Sequence, residues 1–139
     1  MEITNSSKKY NSDKKKHLIY SCQYHVIFCP KYRRHVLVSP IDKRLKQLIL
    51  EKQNEYQYKI IEMEVMSDHV HLLIDCNPKL GIYSVINKIK GYSSRTLREE
   101  FPSLKSRIPT LWTRSKFISS VGSVSLDVVK KYIEEQKGV

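Results

Sequence analysis

From Leu18 to Phe28 the chain alternates without a break. Leu18, Tyr20, Cys22, Tyr24, Val26 and Phe28 fall on one face of an extended segment, with Ile19, Ser21, Gln23, His25 and Ile27 on the other. This is the period of a β-strand. Pro30 and the charged run Lys31-Tyr32-Arg33-Arg34 interrupt it, and His35-Val36-Leu37-Val38 predicts a short return strand. Ser39 can then cap a helix, Pro40 suits its first position, and Asp42 puts a carboxylate in its first turn. Ile41, Leu45, Leu48 and Ile49 recur at helical spacing, so an amphipathic helix is predicted over 40–56.

Tyr58 to Met66 predicts a second long strand, Ser67-Asp68 a tight connection, and His69 to Cys76 a third strand whose apolar weight makes it central. Asn77-Pro78 breaks the chain. Ile82, Val85, Ile86, Ile89 and Leu97 mark a second helix over roughly 80–100. Pro102 and Pro109 bracket a basic loop, Leu111 to Ser120 predicts a fourth long strand, and Gly122 a turn. Ser125 would cap a last helix over 126–137. The order β-α-β-β-α-β-α predicts an α+β fold, a ferredoxin-like antiparallel sheet with an appended hairpin and an extra C-terminal helix. Such a fold hosts many functions and names none.

Residues 1–17 hold five lysines against Glu2 and Asp13, and few large apolar side chains. They read as a flexible basic arm ahead of a single domain over 18–139. Across all 139 residues Lys and Arg number 25 and Asp and Glu 14, a net charge of +11. That excess draws polyanions, nucleic acid first and an anionic membrane surface second. The longest uncharged stretch, Leu18 to Pro30, is broken by Ser21, Gln23 and His25. A spanning helix needs about 20 mostly apolar residues, so no integral membrane protein is expected. The absence of a leader pattern at the N-terminus points to the cytoplasm, with nucleoid association when DNA is bound. Cys22, Cys29 and Cys76 are odd in number and lack CxxC spacing, which argues against a disulfide framework or a zinc ribbon.

His69 and His71 are the sharpest chemical feature. On a strand, i and i+2 share a face, and two neutral imidazoles side by side form half of a divalent-cation site. The same spacing also arises from two packed histidines. Tyr132 and Gln136 stand at i and i+4 on the last helix, offering a phenolic nucleophile and a neutral oxygen donor. Their spacing alone is equally compatible with a packed tyrosine and a solvated glutamine. Nitrogen and oxygen donors without thiolate suit Mg²⁺ or Mn²⁺ acting on phosphates, while also admitting zinc or nickel. A tyrosine attacking a phosphodiester would store the bond as a phosphotyrosine ester, so strands could be cut and rejoined without a nucleotide cofactor. No Gly-rich phosphate loop of the GxxxxGK[ST] or GxGxxG type occurs.

The ordered blocks YSCQYHVIFCPKYRR (20–34), IIEMEVMSDHVHLLID (60–75), KGYSSRTLREEFPSLK (90–105), LWTRSKFISSVG (111–122) and VVKKYIEEQ (128–136) resemble the single-tyrosine HUH transposases of the insertion-sequence 200/605 class. The resemblance implies that His69 and His71 are the metal-binding pair, Gln136 the third ligand, and Tyr132 the nucleophile that forms a 5′-phosphotyrosine link and frees a 3′-OH. It further implies a homodimer acting on single-stranded DNA with hairpin ends, in which the tyrosine helix of one subunit can complete the metal site of the other.

Asp68 is expected in the turn, pointing away from His69 by alternation, and Met66 stands where some relatives carry a carboxylate. Lys31, Arg33, Arg34, Lys88, Lys90, Arg95 and Arg98 are candidate phosphate contacts. Trp112 can stack on an unpaired base or pack in the core. Two other readings compete with the transposase. One is a domesticated HUH nuclease acting on repeated palindromes. The other is a non-catalytic ferredoxin-like nucleic-acid-binding protein, against which the strands HVHLLID and LWTRSKFIS count, lacking an RNP1-type run.

Overall fold

A computed structural model of the chain describes residues 2–3, 11–13, 18–20, 22–121 and 126–138. Its centre is the hairpin of β5 (Tyr58–Met66) and β6 (His69–Cys76), turned at Ser67-Asp68 as the sequence predicts. β4 (Gln23–Phe28) pairs antiparallel with the free side of β6, and β7 (Phe117–Ser120) with the free side of β4. A two-residue strand, β1 (Glu2–Ile3), adds to the outer edge of β5, so the sheet order is β1-β5-β6-β4-β7. The four main strands thus form the antiparallel ferredoxin-like sheet expected from the order of elements.

One face of this sheet holds the core. Val26, Phe28, Ile60, Met63, Val70, Leu72 and Ile74 meet Leu45, Leu48 and Ile49 of α1 (Ile41–Glu51) and Val85, Ile86, Ile89 and Leu97 of α2 (Ile82–Glu100). Both helices cover that face because each presents one apolar stripe. α2 begins after Gly81, whose φ of +81° is a conformation that favours glycine. β5 carries a bulge between Ile60 and Glu62, which keeps Ile60 and Met63 on the core face despite their spacing of three.

Several elements differ from expectation. The predicted strand from Leu18 stops at Tyr20. Leu18–Tyr20 (β3) pairs with Asn11–Asp13 (β2) in a separate two-stranded ribbon, and β4 starts at Gln23. Together with β1, that ribbon gives strand structure to part of the stretch expected as an arm. Edge pairing runs through the main chain and does not need an apolar side-chain pattern. No return strand forms over 35–38. Tyr32 and Arg33 have φ of 60° and 51°, which reverse the chain, and Val36 and Leu37 both plug the core from a loop.

α1 begins at Ile41 rather than 40, and Ser39 caps nothing. The Val38 carbonyl takes the amides of Ile41 and Asp42 instead. The helix ends at Glu51, before a turn that reaches positive φ at Gln57. The basic loop contains a short helix, α3 (Ser103–Arg107), set down by buried Leu104.

The fourth strand is shorter than predicted. Pro30 and Trp112 make an isolated bridge, and regular pairing resumes only at Phe117. Between them the carbonyls of Thr113, Arg114 and Ser115 turn to the Lys90 ammonium at 2.7, 3.5 and 3.4 Å, so they cannot serve a ladder. The last helix, α4, spans Leu126–Glu135. Gly122 and Ser125, the expected turn and cap, lie outside the described residues.

Candidate active site

Burial decides which way the histidines point. Val70, Leu72 and Ile74 of β6 are fully buried in the core, so alternation drives His69 and His71 to the opposite face. Ile27 of β4 lies directly across from His71 and is paired on its other side with Phe117 of β7. His25, two residues earlier, shares this face, and its Nδ1 stands 3.2 Å from Nε2 of His71. On the opposite flank Glu64 of β5 is in register with His71 and Met66 with His69. Burial first, then the neighbouring His25, pushes the His71 pKa below its ordinary value, against the opposing pull of Glu64. The imidazole is therefore held neutral with a lone pair to offer.

Asp68 does not point away from His69. Its Oδ1 lies 2.9 Å from His69 Nδ1, because residues 67–68 are a turn to which strand alternation does not apply. This bond fixes the ring and leaves Nε2 as its free nitrogen. Asp68 Oδ2 in turn receives Arg33 Nε at 3.0 Å. The same guanidinium donates from a terminal nitrogen to the carbonyl of Ile133 at 3.1 Å and lies 3.6 Å from Glu134. One side chain thus ties the histidine strand to α4.

α4 lies on the histidine face of the sheet. The Tyr132 ring packs 5.2 Å from that of Phe117, and its hydroxyl is 2.9 Å from Ser115 Oγ. Burial raises the Tyr132 pKa; the bond from Ser115 works against that, and Cys29 adds to it. The phenol is therefore held in its protonated form. One turn on, Gln136 is buried; its Nε2 donates to the Tyr132 carbonyl at 3.4 Å, and its Oε1 has no partner. A buried amide oxygen without an internal partner calls for one that the described residues do not supply. Among the described residues no three His, Cys, Asp or Glu converge as a metal site.

The comparisons with known proteins place the chain in a family. The family model for IS200-like transposases matches residues 18–136. The chain belongs to the IS200-like transposase family. It is 36% identical over 120 residues to the ISDra2 transposase TnpA of Deinococcus radiodurans, covering 85% of this chain and 86% of that protein. To the transposase for insertion sequence element IS200 of Salmonella typhimurium it is 34% identical over 127 residues, covering 87% and 83%. The crystal structure of a Deinococcus radiodurans protein assigned as a transposase superposes with a TM-score of 0.80 at 31% identity, covering 88% of this chain and 95% of that one. A REP-associated tyrosine transposase bound to a REP hairpin shares the fold at a TM-score of 0.55 and 10% identity, over 95% and 69%. Membership of this transposase family supports a DNA-cleaving and DNA-rejoining enzyme and disfavours the non-catalytic binding module.

The seven basic residues singled out in the sequence divide into two groups. Arg33, Lys90 and Arg98 are spent inside the transposase fold: Arg33 on Asp68 and α4, Lys90 on the 113–115 carbonyls, Arg98 on the carbonyls of Leu104 and Ile108. Arg34, Lys88 and Arg95 are exposed, and Lys31 is half-buried over the Tyr32 ring. Sequence reasoning missed His25, Glu64 and Ser115 as members of the site. Only the pairing of β4, β5 and β7 around β6 brings them to His71 and Tyr132, although His25 already shows the right parity within its own strand. No helix among the described residues is long and apolar enough to cross a membrane.

Proposed function

We propose that the protein excises and inserts single-stranded DNA at hairpin-ended insertion-sequence termini, with Tyr132 as the nucleophile. The Tyr132 oxygen attacks the phosphorus of a phosphodiester, the bond from phosphorus to the 3′ oxygen breaks, and the products are a 5′-phosphotyrosine ester and a free 3′-OH. The phenol gives up its proton as the new bond forms, and the departing 3′ oxygen takes one up. A 3′-OH from another strand end reverses the exchange and restores the phenol. No nucleotide cofactor is consumed, because the ester keeps the energy of the bond it replaced.

His69, His71 and Gln136 would hold Mg²⁺ or Mn²⁺. The donors fit such an ion: one imidazole fixed by Asp68, one held neutral by burial, and one amide oxygen with no internal partner. When bound, the ion would supply charge neutralisation at the scissile phosphate. Ser115 orients the phenol, and Phe117 sets its ring. The enzyme would work as a homodimer, with α4 serving the sheet of its own subunit or of its partner.

The observation that carries this reading is the phenol of Tyr132 and the orphaned Gln136 oxygen on one helix, tied through Arg33 to the strand of His69 and His71. The test is incubation with single-stranded hairpin DNA and Mg²⁺ or Mn²⁺, followed by a denaturing gel. A covalent protein–DNA band is expected, lost in Tyr132→Phe and with chelator. A band that survives in Tyr132→Phe moves the nucleophile to another tyrosine and refutes the assignment.

A further inference from the structure

A groove of about 430 Å³ opens between α2 and the loop over 110–116, lined by Arg114 and Lys116 on either side of Ser115 in the chain. That volume lies near the lower end of the ~300–1,000 Å³ found for ligand clefts, the size of one small unit and far too small for a duplex. At its rim Tyr83 is 63% exposed, an unusual position for a large aromatic ring, and the Lys116 ammonium rests 4.5 Å from the ring centroid. Arg114 and Lys90 complete a lining with three cations and, among the described residues, no carboxylate.

Gly91 of α2 also lines the groove, and a Cβ built there would meet nothing within 4 Å. The space is therefore open and is not filled by neighbouring side chains.

We propose that this groove seats one unpaired nucleotide of the DNA strand that runs to Tyr132. Its base stacks on Tyr83, and its phosphate is met by Lys116 and Arg114. A stacking platform flanked by cations is the general solution for binding single strands, because every base has a π-face and every link a charge. The inference rests on the single-stranded DNA reading of the site next to it. It adds a place where the strand is gripped before the reacting phosphate, on residues without a chemical role.

The test uses fluorescence anisotropy with a single-stranded oligothymidine 20-mer and, separately, a duplex of the same length, over a range of salt. Tyr83→Ala removes the platform, and Gly91→Leu fills the groove from a helix position where leucine is the better helix former. Each is expected to weaken single-strand binding about tenfold, with an unchanged melting temperature and little effect on the duplex. Lys116→Ala is expected to lower the salt dependence by about 0.7 in log–log slope, one phosphate's worth for a single strand. Affinities within twofold of the parent for both Tyr83→Ala and Gly91→Leu, or an equal loss for duplex, would overturn the proposal. The covalent-band assay on the parent protein separates the two readings. A band with unaltered binding in the variants sinks the groove alone. Lost binding with no band keeps the groove and sinks the strand-transfer mechanism.

Discussion

Arg33 is the side chain on which the position of the tyrosine helix turns, and removing it is the most direct perturbation of the site. Its Nε lies 3.0 Å from Asp68, and the two side chains are only 11% and 14% exposed. Breaking a fully buried ion pair by deleting one partner costs about 3–5 kcal/mol, because the other charge is stranded. Partial access of water lowers that here, so Arg33→Ala is expected to cost about 2–3 kcal/mol. The bond to the Ile133 carbonyl goes as well, while the contact with Glu134, which is 66% exposed, adds little. A helix of ten residues is marginal alone, so α4 depends on such anchors to stay on the sheet.

The assay is a double-mutant cycle of Arg33→Ala and Asp68→Asn by urea unfolding, with amide exchange followed along α4. A coupling of about 1–3 kcal/mol is expected, together with faster exchange in α4 and loss of the covalent DNA band. Arg33→Lys keeps the charge but not the fork, and should recover stability better than it recovers the band. Additivity within about 0.5 kcal/mol, with α4 exchange unchanged, would refute the clasp. Loss of DNA affinity with stability intact would return Arg33 to the phosphate contacts.

Three further outcomes follow from the same geometry. Gln136→Leu removes an unsatisfied buried carbonyl oxygen, so in chelator its melting temperature should equal or exceed the parent's; the rise that Mn²⁺ gives the parent by mass action should shrink, and an undiminished rise would remove Gln136 from the metal site. Burial, aided by Lys116 and opposed by Cys29, pushes the Lys90 pKa down from 10.5 to about 8. Between those values the unfolded chain holds a proton that the native state has released, so the contribution of Lys90 to stability rises with pH across that window. Lys90→Met should flatten the urea midpoint over pH 8 to 10.5 relative to the parent, and an identical slope would show that the ammonium is not buried. Trp112 donates Nε1 to Ser93 Oγ at 3.1 Å and meets Phe28 edge-on at 4.7 Å; Trp112→Phe should cost about 1–3 kcal/mol in urea unfolding, whereas an unchanged midpoint would contradict its packing role.

Local pattern was enough for much of this molecule. β5 and β6 run as the sequence predicts on either side of the Ser67-Asp68 break, and α2 follows from its apolar stripe. The ordered sequence blocks were enough to give the family, whereas an HxH strand and a helical Y-x-x-x-Q taken alone are equally compatible with packed side chains. The sequence could not show where a strand's hydrogen bonds would be withdrawn. Over 113–115 the carbonyls go to Lys90, more than twenty residues away in the chain, so a patterned strand becomes a loop that presents Ser115 to Tyr132. Over 35–38 the apolar residues serve as a core plug, a choice made by the reversal at Tyr32 and Arg33.

The amino-acid order by itself determined the number and kind of the main elements, the parity that turns both histidines of β6 away from the core, and the family of the chain. Tertiary structure alone decided the company those histidines keep. His25 reaches His71 because β4 happens to be its neighbour in the sheet, and Asp68 and α4 are joined because one guanidinium is long enough to span them. The physical reason is range. Periodicity is a property of adjacent residues, while a site is a sum of contacts between segments whose separation only the folded chain sets.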